Sequence, residues 1–451
     1  MSKRLILILA LVFVVGTACA AYAEVQNVKV SGDINMMALT RDRFSLTNGP
    51  AGDKNNDNEG NFLSQIRVRI DADLTDNVMA TVRLINERAW NTERTTEGSG
   101  DTKIDLDLAY VTLKEFLYSP LSITVGRQEL RYGNGLIIGN ARNYNTNVLG
   151  GVPGDLTERK AFDAVKAVLN YDPLVIDLIA SRISYTTPTR NDAQNLLGVN
   201  AKYDLDKTTS IEGYFFNKQS RNKSGINNKA DQVYTVGALV SAEPITDLKA
   251  SVEGAYQFGR YNQAAALGVQ PMAERSAFAV QAKANYALPF EKTKKWSPSI
   301  GAEYTYLSGN KDNKLEHQWD TMFYDQALSN IVYAIVPFTN LQAINLMGSM
   351  KPVEDVILSF NYGMYFRAQG TAGTMNAPYV DTTNTSYGAY TMTDKKFLGN
   401  ELDLTAVYNY TEDVQFGLTA GWFKPGKAFS SGTTDNRHDA AQLIGSMKVT
   451  F

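Results

Sequence analysis

The chain has 451 residues, a net charge of −3 at pH 7, two histidines and one cysteine. A single cysteine excludes an internal disulfide and a Cys-x-x-Cys-His haem site, and the negative balance without a basic cluster excludes nucleic-acid binding. No apolar run approaches the length of about 20 residues that a membrane-spanning helix needs. The composition predicts neither a cofactor nor a metal site.

The amino terminus has the features of an export signal. Two basic residues precede an apolar run over 5–15, and the small-x-small sequence Ala21-Tyr22-Ala23 follows it. This order of segments is typical of a secretory signal peptide. The sequence therefore predicts a signal peptide over 1–23 and a mature chain over 24–451. No linker divides the mature chain, which indicates one domain.

Segments of alternating polar and apolar residues recur along the mature chain, and the connections between them alternate strictly between two kinds. One kind is short and rich in Asp, Asn and Pro, which form tight turns; the other is long and rich in Gly, Asn and Thr. Short turns at one end and long loops at the other are the rule for transmembrane β-barrels. The sequence predicts an all-β, antiparallel barrel of about 18 strands, near 27–39, 62–74, 77–90, 103–115, 120–128, 159–170, 173–184, 195–205, 208–218, 231–243, 246–258, 275–288, 296–307, 339–351, 354–368, 396–410, 413–424 and 439–451.

The alternation also assigns the two faces of each strand. A charged Arg or Lys facing lipid at mid-depth costs about 2–4 kcal/mol, so the charged face is the lumen. On this basis Arg67, Arg69, Arg83 and Arg367 point inward, whereas Leu108 and Tyr110 are among the residues predicted to face lipid. A barrel of this size leaves an aqueous channel, which indicates passage of polar solutes.

The carboxyl terminus supports the same architecture. The last strand alternates up to its final residue, the aromatic Phe451. Together with the export signal, this ending is typical of bacterial outer-membrane barrels. It predicts insertion into outer-membrane lipid through recognition of this strand by the barrel assembly machinery, and we expect a monomer.

Three stretches carry more information than alternation does. They are Gly126-Arg127-Gln128 with Phe162-Asp163, Trp319-Asp320 in a long loop, and Glu401-x-Asp403 before Gly421-Trp422-Phe423-Lys424-Pro425-Gly426. In this order they resemble the alginate export family of outer-membrane channels. The resemblance implies an 18-stranded passive pore whose lumen binds an anionic polysaccharide through arginines. The matching positions in this chain are Arg127, Arg131, Arg142, Arg159, Asp163, Glu401 and Asp403.

The role of the luminal charges stays open at this point. Inward arginines are matched by inward carboxylates, so the charges either pair and brace the wall or guide anions. A dedicated uronate channel is expected to have an excess of inward Arg, because guanidinium binds carboxylate bidentately. The alternation also places Arg127 on the face of Val125, so Arg127 needs a bulge or a rim position to reach the lumen. The loop 129–158 either folds inward as a constriction or lies on the surface.

The sequence predicts a porin-like channel for small polar or anionic solutes or a saccharide chain, and not an enzyme. One alternative is a hydrolase that uses His317, which lies near Glu316 and Asp320 in a predicted outer loop. The other is a scaffold barrel that sheathes a periplasmic electron-transfer partner. Neither the solute nor the direction of transport is encoded in these patterns.

Overall fold

A computed structural model describes residues 27–46, 58–90, 104–141, 152–184, 194–221, 230–261, 273–289, 296–311, 316–379, 386–429 and 437–451. The signal sequence and Arg142 lie outside these ranges. In the described residues, no helix is long and apolar enough to cross a bilayer.

Eighteen antiparallel strands form one sheet that closes on itself, because β1 pairs with both β2 and the last strand. The predicted barrel is confirmed. Its strands are β1 (Asn27–Asp42), β2 (Glu59–Thr75), β3 (Val78–Ala89), β4 (Asp105–Leu113), β5 (Leu121–Gln128), β6 (Phe162–Asn170), β7 (Leu174–Ser184), β8 (Gln194–Asp204), β9 (Ser210–Arg221), β10 (Ala230–Ile245), β11 (Leu248–Tyr261), β12 (Ala273–Ala287), β13 (Ser299–Leu307), β14 (Leu341–Val353), β15 (Val356–Arg367), β18 (Phe397–Asn409), β19 (Val414–Pro425) and β20 (Ala440–Thr450). Two further short strands, β16 (Gly373–Asn376) and β17 (Ala389–Met392), lie between β15 and β18 in the chain and form a separate hairpin.

The strand faces follow the alternation in the sequence. Val28 and Val30 at the start of β1 are exposed on the outside, whereas Met37 and Leu39 further along the inner face are buried. Large apolar side chains stand exposed along the outer face of most strands, as a lipid-facing surface requires. Closure removes the two free sheet edges that an open sheet would present.

One β-bulge changes the predicted faces of β4. The register between β3 and β4 shifts so that Arg83 pairs with Leu108 while the next residue of β3 pairs with Leu106. The extra residue, Asp107, turns the remainder of β4 over. Leu108 is therefore buried inside, and the Tyr110 hydroxyl lies 3.5 Å from Arg69 in the lumen. The prediction that these two residues face lipid is wrong, because strict alternation assumes a strand without a bulge.

Two long loops contribute a hydrophobic core inside the barrel. The loop that follows β5 packs Leu136 and Ile138 against Phe323 of the loop between β13 and β14. The second loop contains one short helix, α1 (Ile331–Ile335). A small hairpin, β16 (Gly373–Asn376) with β17 (Ala389–Met392), packs on the same core. The loops therefore occupy part of the lumen near its extracellular end.

Candidate functional site

The loop after β5 is anchored to acidic residues of β9 and β11. The backbone N–H of Gly133 donates to Glu212 at 2.8 Å, and that of Asn134 donates to Glu253 at 2.9 Å. Gly133 has a φ of 56°, a left-handed conformation that glycine adopts readily. The loop therefore folds inward. Of the two conformations left open for 129–158, a constriction or a surface loop, the described residues of this segment adopt the constriction.

The loop between β13 and β14 is anchored at the start of α1 by Glu401, the first acid of the Glu-x-Asp motif. Its carboxyl group accepts hydrogen bonds from the backbone N–H of Ile331 at 2.6 Å and of Val332 at 2.7 Å. It also accepts one from the Ser329 hydroxyl at 2.9 Å. Asp403 accepts a further bond from the N–H of Asn330 at 3.3 Å. We call Glu401 and Asp403 the acidic latch, because they hold this loop against the wall.

The two loops are also tied to each other by charge. Arg131 reaches from the first loop to Asp325 in the second, with Nη1 2.6 Å from Oδ2. Lys160 binds the other oxygen of Asp325 at 2.8 Å. Arg131 is half exposed, so it faces the remaining lumen as well as its partner. The predicted luminal position of Arg131 is consistent with this geometry.

Four predicted arginines form a ladder on one side of the lumen: Arg67, Arg69, Arg83 and Arg159. Each makes at least one ion pair, so the ladder braces the wall more than it presents unpaired charge. The Nε distances to the nearest carboxylate oxygens are 2.8 Å for Arg67 to Asp33, 2.7 Å for Arg69 to Asp71, 2.6 Å for Arg83 to Asp107 and 2.8 Å for Arg159 to Glu87. Further partners are Glu158 for Arg67, Glu129 for Arg83 and Asp105 for Arg159.

Arg127 and Asp163 do not enter the lumen. They pair with each other at 3.1 Å on the outer face, where their neighbours Val125 and Val165 are exposed. The inward positions beside them belong to buried residues, among them Phe162. The predicted luminal role of this pair is wrong, because β5 and β6 keep their alternation to the extracellular end without a bulge that would turn Arg127 inward.

Arg367, at the extracellular end of β15, differs from the ladder. Its guanidinium donates to the carbonyl oxygens of Thr393 at 2.9 Å and of Thr371 at 2.6 Å. Within the described residues it forms no ion pair with a carboxylate. Two of the five guanidinium N–H groups suffice for these bonds, so donors remain for a ligand.

Arg367 lines a cavity of about 470 Å³ between the second loop and the hairpin β16–β17. Lys218 and Arg275 line the same cavity, together with a single carboxylate, Asp320. Burial opposes ionisation of Asp320, but the charges of Lys218 and Arg275 outweigh burial and keep the pKa of this carboxyl below its ordinary value. The lining of the cavity therefore has three cations and one anion, and a second carboxylate, Asp231, lies near Lys218 and Arg275 outside the lining. Its volume is in the range of small-molecule sites, and we call it the cationic cavity.

Sequence reasoning identified Arg367 but not the rest of the cationic cavity. Lys218 and Arg275 lie on β9 and β12, and Asp320 belongs to the Trp319-Asp320 motif, whose role was undefined. The inward positions of Lys218 and Arg275 were readable from alternation. Their convergence was not, because it depends on how the second loop folds.

His317 lies at the surface of the second loop. Its Nδ1 is 3.0 Å from the Ser276 carbonyl oxygen, and its Nε2 is 4.0 Å from Glu316. Asp320 binds Lys218 instead of the histidine. In the part of the chain that the structure describes, His317 is therefore not assembled with a nucleophile and an orienting acid, and no cluster of His, Cys, Asp and Glu is arranged to hold a metal ion.

Comparison with known proteins places this chain in a family. The model of the alginate export family matches residues 34–442. No curated protein sequence matches the chain. Among the solved structures to which the chain is similar are three Pseudomonas aeruginosa proteins. OccK11 (OpdR) has 10% sequence identity and a TM-score of 0.56, and OpdK with vanillate has 12% identity and a TM-score of 0.54. OccK2 (OpdF) in complex with glucuronate has 11% identity and a TM-score of 0.55.

These similarities extend over whole chains. Each covers 95% of this chain and 98%, 100% and 99% of the three structures, respectively. At such low identity the likeness establishes the fold, while the family model covers most of the sequence. The chain therefore belongs to the alginate export family and is an outer-membrane, porin-like β-barrel.

Proposed function

We propose that the protein is a passive channel for small anionic solutes, and that it selects them by a carboxylate group in the cationic cavity. The observation that carries the proposal is Arg367, which lacks a carboxylate partner among the described residues and shares the cavity with Lys218 and Arg275. Guanidinium and ammonium groups that are partly desolvated bind carboxylates strongly. The arginine ladder supports the wall, and its charges are largely neutralised by their carboxylate partners.

Small solutes fit this geometry better than an extended polymer does. The two inward loops share a buried core with side chains such as Ile138 and Ile335, which are fully buried. A polysaccharide would have to displace this core, whereas a monosaccharide acid would not. The solved OpdK and OccK2 structures contain vanillate and glucuronate, respectively, and both are compact carboxylates. Alginate is the second candidate cargo, and the family model is what favours it.

The remaining assignments complete the proposal. Residues 1–23 are removed as a signal peptide, the strand ending at Phe451 is recognised by the barrel assembly machinery, and the barrel is a monomer. The activity is conduction and not catalysis. Amino-terminal sequencing of the purified protein tests the cleavage site directly.

The test of the main proposal is a reversal-potential measurement in a planar bilayer under a salt gradient, with glucuronate added as a blocker. We expect anion selectivity, blockade by glucuronate and no blockade by neutral glucose. Arg367→Gln is the informative variant, because it orphans no carboxylate in the described structure. The variant should raise the glucuronate concentration needed for half-blockade about tenfold, because the loss of one charge-assisted hydrogen bond weakens binding by about that factor.

Lys424→Gln is the matched control, because Lys424 is an exposed cation that alternation places on the outer face of β19. This variant should leave selectivity and blockade unchanged. Cation selectivity of the wild-type protein, or glucuronate blockade that is the same in Arg367→Gln, would contradict the proposal. Blockade by uronate oligomers but not by the monomer would favour the polymer as cargo.

A further inference from the structure

The family-like motifs Gly126-Arg127-Gln128 and Phe162-Asp163 have no role in the lumen, because their charged residues face outward. Arg127 is the penultimate residue of β5, and Asp163 is the second residue of β6, so both lie at the extracellular ends of their strands. Asp163 is also in register with Arg182 on β7. Three neighbouring strands thus present Arg127, Asp163 and Arg182 side by side on the outer wall.

This charged row has an excess of one positive charge. The Arg127–Asp163 pair is neutral, with Nη1 3.1 Å from the carboxylate. Arg182 is exposed and, among the described residues, forms no ion pair. The Arg127 Nε is buried and has no hydrogen-bond partner there. Donors on both arginines therefore lack protein acceptors.

The described part of the loop after β5 does not cover this row. From Arg131 onward its contacts lie inside the barrel, where Arg131 binds Asp325 and Gly133 binds Glu212. Within the described residues, Asp163 and Arg182 are exposed on this wall. This arrangement is unusual for a lipid-facing wall, on which an Arg at mid-depth costs about 2–4 kcal/mol and less near the interface.

An apolar strip begins directly beneath the row. Val125, Val165 and Leu178 are exposed to 48%, 45% and 43%, and they lie on the same three strands toward the periplasmic end. The surface therefore has an apolar strip and, at its extracellular end, a cationic cap. A ligand that matches both parts has acyl chains and an anionic head group at the height of the arginines.

We propose that Arg127 and Arg182 bind a phosphate group of a phosphorylated glycolipid in the outer leaflet of the membrane, with its acyl chains along Val125, Val165 and Leu178. Asp163 orients Arg127 and keeps its guanidinium near the wall. Phosphate suits this site because it offers several acceptor oxygens to the fork of a guanidinium. The proposal depends on the outer-membrane location of the barrel and is independent of its cargo.

Native mass spectrometry of the detergent-purified, full-length protein tests this proposal. The probes are diphosphoryl lipid A, its dephosphorylated counterpart with the same acyl chains, and the soluble diphosphorylated disaccharide without acyl chains. We expect the diphosphoryl lipid to bind about tenfold more tightly than the dephosphorylated lipid, which lacks the charge-assisted bond. It should also bind more tightly than the soluble disaccharide, which lacks the apolar contacts of the acyl chains. Arg182→Gln and the double variant Arg127→Gln/Asp163→Asn should each weaken its binding about tenfold.

Lys424→Gln serves again as a control, because it removes one outer-face cation from a distant strand, and it should bind the lipid as the wild type does. Each variant is first checked for the gel mobility shift between unheated and boiled samples that reports a folded barrel. Wild-type affinity in Arg182→Gln or in the double variant would overturn the proposal. Equal binding of the dephosphorylated lipid would overturn the phosphate assignment, and equal binding of the soluble disaccharide would overturn the lipid assignment.

Discussion

Replacement of Glu401 by Ala tests whether the acidic latch holds the second loop inside the barrel. The substitution removes the acceptor for two backbone N–H groups, those of Ile331 and Val332, and for the Ser329 hydroxyl. Glu401 and Ile331 are both almost fully buried, so water does not reach these donors in the closed loop. The barrel strands do not depend on these bonds, because the sheet pairs through its own backbone.

The expected magnitude follows from the donors that are left without a partner. A buried N–H group without an acceptor costs about 1–3 kcal/mol, so the two amides alone destabilise the closed loop by about 2–6 kcal/mol. Burial of Ile331 and Ile335 opposes release, since each contributes about 1.5–3 kcal/mol. The loop should therefore remain mostly in place but open far more often. A change of about 3 kcal/mol raises the open fraction about 150-fold.

Hydrogen exchange of the Ile331 and Val332 amides measures this opening. Exchange should accelerate about 100-fold or more in Glu401→Ala, and single-channel traces should show new, larger conductance levels. Asp204→Ala is the control, because Asp204 pairs with Lys202 at a half-exposed site and anchors no described loop. Unchanged exchange at both amides, with the barrel intact, would refute the latch.

Three further predictions concern the frame around the loops. Arg41→Ala breaks a fully buried pair with Asp155 and should destabilise the barrel by about 3–5 kcal/mol, measured as a lower denaturant midpoint. Burial raises the pKa of Tyr333 to about 12. The stability that this shift contributes is therefore complete below the ordinary tyrosine pKa and is lost as the pH rises through about 12. Tyr333→Phe should remove this alkaline loss from a measurement of unfolding free energy against pH. Deletion of Phe451, whose backbone exchanges two hydrogen bonds with Gly32, should lower the yield of assembled barrel in outer-membrane fractions.

The barrel could be predicted because its signals are local. A period of two residues marks a strand, turn formers mark its ends, and both signals lie within about ten residues of each other. Every predicted strand has a counterpart in the structure, with ends that differ by a few residues. Of the two roles left open for the luminal charges, the described structure has pairing, but of the ladder pairs only Arg69 and Asp71 are close in sequence.

The interior of the barrel could not be predicted in the same way. The contacts of Glu401 with α1 and of Arg131 with Asp325 join residues that are 70 and 194 positions apart, and no local pattern encodes them. The inward side of β4 depends on one bulge at Asp107, which alternation does not reveal. The family resemblance predicted Arg127 in the lumen, although the alternation of β5 already placed it on the outer face with Val125.

The luminal arginines differ in whether they pair with a carboxylate, and the proposed selectivity rests on this difference. A ladder arginine with its carboxylate contributes little net charge, so the luminal wall is nearly neutral despite its many arginines. Arg367 is different, since its described partners are the carbonyl oxygens of Thr371 and Thr393 and its charge remains for a solute. The second loop closes the cationic cavity and is itself held by Glu401. If the cationic cavity binds the anion as proposed, recognition and opening of the path depend on the same loop, and a solute larger than the cavity should pass only when the acidic latch releases this loop.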